Sequence, residues 1–175
     1  LKLLTVLISS LLIAAASAAI YGEMYMNASV GVGGAKTLVW QLGANATVAG
    51  TNIDGPTCTL SSLDLGQAGL TQTYSDPVGL NNSDPSNPHT FDLTIQGCTG
   101  DTDKLHSIVI KLYDNSTQNL EHTLTVWSSG TQGSDLMGLS ILADTVWRFQ
   151  WEITWDLDAT VANTVSVSLV LVVKS

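Results

Sequence analysis

The leading segment LKLLTVLISSLLIAAASAA, residues 1–19, carries one ionisable side chain, Lys2, before the chain turns polar and β-patterned. Moving Leu1, Leu3, Leu4, Val6, Leu7, Ile8, Leu11, Leu12 and Ile13 out of water is worth on the order of 10–30 kcal/mol in total. Whatever else the chain does, it must therefore place this segment away from solvent. Three readings follow. Lys2, the apolar run and Ala14-Ala15-Ala16-Ser17-Ala18-Ala19 fit a secretory signal peptide with a small-residue cleavage site. Leu3 to Tyr21 just reaches the length of a membrane span. A helix from Leu1 to about Met26, roughly 40 Å long and apolar all round, fits burial among copies of itself.

Beyond the leader the chain is one domain in size. Lys and Arg total 6 against 15 Asp and Glu, a net charge of −9. The scattered cations argue against nucleic acid as a partner, because phosphate binding needs clustered Lys and Arg. Strict alternation places Trp147, Phe149, Trp151, Ile153, Trp155 and Leu157 on one face of a strand running to Asp158, with those from Trp147 to Trp155 as head core. Thr164–Lys174 begins with polar residues on one face and ends apolar on both, as in a strand covered by another layer or subunit. Weaker strands read at Lys36–Leu42, Thr57–Leu65, Thr90–Gln96, Ile108–Tyr113 and Leu120–Trp127, separated by turn-forming residues. This spacing predicts an antiparallel sandwich, immunoglobulin-like or similar.

The layout resembles that of archaeal type IV pilins: an apolar helix beginning at a residue other than Met, small residues along it (Ser9, Ser10, Ala14–Ala19), then Ile20-Tyr21-Gly22 and a β-rich domain. Thr5, where bacterial relatives are acidic, matches the archaeal branch. The resemblance implies an α+β fold with a long N-terminal helix over 1–27, a Gly-rich hinge over 28–35 and a β-sandwich head over 36–175. It also implies a helical homopolymer at the cell surface, membrane-inserted before assembly, bundled through Leu3, Leu4, Leu7, Leu11, Leu12, Ala15 and Ala19 and used for adhesion. A different structural reading cleaves the leader after the alanine run; a secreted β-sandwich subunit then uses a segment such as Tyr21–Val32 to complete a neighbour's sheet. A third is a membrane-anchored sugar-binding or enzymatic domain.

Cys58 and Cys98 form the one available cysteine pair, and in an exported domain their expected state is a disulfide worth roughly 4 kcal/mol. Four Asn-x-Ser/Thr sequons, at Asn27, Asn45, Asn81 and Asn115, mark candidate N-glycosylation sites. No catalytic, cofactor or metal constellation is expected. His89, His106 and His122 lack HxH or HExxH spacing, and no Ser occupies a Gly-x-Ser-x-Gly elbow. The pairs Asp101/Asp103 and Asp156/Asp158 supply too few ligands for Ca²⁺, and Gly31-Val-Gly33-Gly34 lacks the Lys-Ser/Thr of a phosphate loop.

Overall fold

The computed structural model describes residues 26–31, 38–54, 57–60, 68–160 and 162–174. Its organising element is β11 (Thr145–Trp155), where Trp147, Phe149, Trp151, Ile153 and Trp155 are all buried and alternate with half-buried polar residues. Period-two patterning makes such a strand the inner wall of a sandwich. β11 lies in a six-stranded sheet ordered β2-β5-β11-β7-β8-β9. Its other members are β2 (Leu38–Leu42), β5 (Thr71–Asn82), β7 (Leu105–Asp114), β8 (Leu120–Ser128) and β9 (Thr131–Gln132).

The second sheet runs β10-β6-β12-β1-β4-β3. It comprises β1 (Met26–Gly31), β3 (Thr51–Asp54), β4 (Thr57–Leu60), β6 (His89–Gly100), β10 (Leu136–Ile141) and β12 (Val165–Lys174). Between the sheets lies one apolar core that includes Leu80, Phe91, Leu93, Ile110, Phe149, Trp151, Leu169 and Leu171. Phe91 of one sheet meets Trp147 of the other edge-on, ring centroids 5.8 Å apart, and within the β11 sheet Trp40 meets Phe149 edge-on at 5.5 Å. Such pairs add about 0.5–1.5 kcal/mol to simple burial.

Two expectations are corrected here. The described residues are almost entirely β, with one short 3-10 turn at Thr102–Lys104 and no α-helix, so the α+β class with a long N-terminal helix does not stand. Met26 and Asn27, placed in that helix by the sequence reading, belong to β1, as do residues 28–31 of the expected hinge. The remaining helix positions, including Leu3, Leu4, Leu7, Leu11, Leu12, Ala15 and Ala19, and hinge residues 32–35 lie outside the described residues. Secondly, the strand expected to continue to Asp158 ends at Trp155. Asp156 N–H turns to the Lys104 carbonyl at 2.9 Å, which leaves Leu157 off the buried face and 86% exposed.

Candidate functional site

β1 occupies an interior position of its sheet, and its pairing with β12 is the one parallel pairing among the described residues. It pairs with β12 from Met26↔Val167 to Gly31↔Val172. On its other side it pairs antiparallel with β4 through Ala28↔Cys58 and Ser29↔Thr57. β12 is bonded on its far side to β6, from Val165↔Gly100 to Lys174↔Thr90, while β4 is bonded to β3 from Thr51↔Leu60 to Asp54↔Thr57. β1 thus fills a slot between two otherwise self-contained pieces, β10-β6-β12 and the β4-β3 hairpin. A buried backbone group left without a partner costs about 1–3 kcal/mol, so the slot requires a strand. The pairing specifies backbone, which any strand of suitable register can supply.

The slot also decides the cysteine chemistry. Cys58 on β4 and Cys98 on β6 are both free thiols, which corrects the expected disulfide. The reason is the strand order, because β1 and β12 lie between β4 and β6. Three strand-to-strand steps amount to roughly 14 Å, twice the roughly 7 Å reach of a disulfide between Cα atoms. Burial pushes the Cys58 thiol up to about 12 and the Cys98 thiol up to about 11. Both are therefore protonated and unreactive at neutral pH.

The sequons fall in distinct settings. Asn27 lies in β1. Asn45 is half-buried, and its Oδ1 accepts hydrogen bonds from Ser75 Oγ at 2.8 Å and from Asp76 N–H at 3.0 Å. Asn81 is half-buried on the outer face of β5, between its cross-strand partners Val39 and Val146. Asn115 is exposed in the turn that joins β7 to β8.

The three histidines each have a structural neighbour. His89 lies 3.6 Å from Asp84, His106 3.2 Å from Asp156, and His122 tilts against Trp147 at 5.5 Å. The two Asp pairs come to one end of the sandwich, which the sequence spacing did not reveal. There Lys104 Nζ bonds Asp158 at 2.6 Å, and the Thr164 N–H donates to Asp101 Oδ2 at 2.8 Å. Hydrogen bonding to Lys104 holds the Asp158 carboxyl below its ordinary range. Among the described residues no group of His, Cys, Asp and Glu is placed to hold a metal ion. No helix among them is long and apolar enough to cross a membrane. The chain matches no protein-family model and no curated protein.

Proposed function

We propose that this chain is the structural subunit of an extracellular filament whose copies join by strand addition, β1 of one copy entering the slot of the next. The observation that carries the reading is the position of β1, an interior strand with six register pairs on β12 and only two on β4. Parallel pairing is slightly less stable per residue than antiparallel pairing, which favours exchange of β1. The connection to β2 is residues 32–37, Val-Gly-Gly-Ala-Lys-Thr, which reaches at most about 20–22 Å. Short hinges of this kind favour exchange between identical chains. An exchanged strand makes the same hydrogen bonds in the neighbour that it makes at home, so assembly requires no new surface chemistry. Export through a cleaved leader is supported by the pattern of residues 1–19, and the acidic surface suits a secreted protein.

The test uses the register pair Ala28↔Cys58. In an Ala28→Cys, Cys98→Ser chain folded and assembled in a thiol–disulfide redox buffer, so that the bond can form before Cys58 is buried, disulfides should link neighbouring copies and give a ladder of multimers on a non-reducing gel. A monomer-sized product alone, with β1 locked in its own chain, overturns the proposal. So does the absence of polymer from concentrated wild-type protein under electron microscopy.

A further inference from the structure

We infer that Asn115 is the N-glycan acceptor of the folded domain, an inference that rests on the proposed export of the chain but on no feature of the β1 slot. Among the three sequons whose side chains are described, only Asn115 presents an exposed carboxamide. No hydrogen bond engages that carboxamide among the described residues, whereas the backbone around it is fixed. The Asn115 N–H donates to the Val146 carbonyl at 2.8 Å. Asp114 Oδ1 accepts from the N–H groups of Ser116 at 2.8 Å and Thr117 at 2.9 Å. Farther round the turn, Arg148 lies over the Tyr113 ring at 4.2 Å and donates to Gln118 Oε1 at 3.1 Å. The acceptor is thus held clear of the sheet by a turn that does not need it. Asn45 is the opposite case, its Oδ1 holding Ser75 and Asp76 in place, and Asn81 is flanked by valines on both neighbouring strands.

The sugar donor is a lipid-linked oligosaccharide phosphate, brought by a separate transferase. A bond forms from Asn115 Nδ2 to C1 of the first sugar as the bond from C1 to phosphate oxygen breaks. The lipid phosphate leaves with the electron pair, and the amide gives up one proton to the transferase's base. Thr117, two residues on, completes the sequon; its Oγ1 accepts from the Asn119 N–H at 3.3 Å and its side chain also hydrogen-bonds the Asp114 carboxylate of the same turn.

The experiment presents the folded, unglycosylated full chain to a purified oligosaccharyltransferase with a lipid-linked oligosaccharide and maps the modified peptides by mass spectrometry. The peptide carrying Asn115 should gain the mass of one glycan first. That gain should vanish in Asn115→Gln and in Thr117→Ala, the latter leaving the acceptor itself intact. Earlier modification of Asn45 or Asn81, or no modification at any sequon, overturns the inference. The readout is the same for monomer and polymer, so a failure here and a failure of strand addition are separately visible.

Discussion

At the scale of single residues, the two cysteines separate what strand order decides from what spacing suggests. Their spacing and their contexts at strand ends fit a staple, but a pair in one sheet can be bridged only from neighbouring strands, and two strands intervene here. The consequence is a specific chemistry. With thiols pushed up to about 12 and about 11 by burial, the native chain should show almost no reaction with a thiol-exchange reagent near pH 8. Two thiols per chain should titrate once guanidinium unfolds it; a count of zero after unfolding would restore the disulfide. Asn82 is fully buried with both ends of its carboxamide hydrogen-bonded. Its Nδ2 donates to the carbonyls of Asn87 at 2.9 Å, Leu142 at 2.9 Å and Ile141 at 3.3 Å, while its Oδ1 accepts from the Asp84 N–H at 3.0 Å.

At the scale of elements, β1 is the piece on which both architecture and assembly turn. Ser29 stands opposite Val170 on one side and Thr57 on the other. A Ser29→Pro substitution removes a backbone donor from the middle of an interior strand, where proline is not accommodated. The expected loss is about 1–3 kcal/mol from the partner group left unpaired, read as a lower urea midpoint, and filaments should be absent at any protein concentration. Filaments of normal length from this variant would remove β1 from the assembly mechanism. The helix-and-hinge reading of β1 follows an apolar, helix-compatible run into a glycine pair; only the strand-addition reading, with Tyr21–Val32, makes this segment a strand, and nothing local fixes its bounds or its partners far along the chain. β5 was missed for a different reason. Pro77 and Gly79 argue against a strand, yet the register with β11 shifts between Phe149 and Trp151, so residues 75–77 bulge and the proline needs no ladder bond. β10 likewise carries Gly138 at φ +67° beside a register shift. By contrast β11 and β12 were plain, since each has one face against the core and period two follows directly. Strands bent by bulges lose that period, and sequence patterning loses them.

At the scale of the whole molecule, a chain of net charge −9 places each of its four described cations against a partner. Lys104 meets Asp158, Lys111 meets Glu152, Lys174 meets Asp92, and Arg148 covers Tyr113. Asp92 bridges different strands. Its Oδ2 lies 2.8 Å from Lys174 Nζ on β12, and its Oδ1 accepts from the Gly138 N–H on β10 at 2.7 Å, so one carboxylate ties three adjacent strands. The Lys174 hydrogen bond, then the Gly138 N–H, hold the Asp92 carboxyl below its ordinary value of 3.8. Asp84, Asp114 and Asp158 are lowered as well, by hydrogen bonds from Ser86 and Asn87, from Ser116 and Thr117, and from Lys104 respectively. Because each folded value lies below the unfolded one, the unfolded chain binds protons first as pH falls. The stabilisation is therefore complete above the ordinary carboxylate range and is lost as pH drops through the lowered folded values. Urea midpoints measured from neutral pH down to about pH 3 should fall accordingly. Asp92→Asn, which keeps the shape and removes the titration, should be less stable at neutral pH and should show a shallower decline. An equal decline in both proteins would mean that the junction of β6, β10 and β12 contributes nothing to the acid sensitivity of the domain.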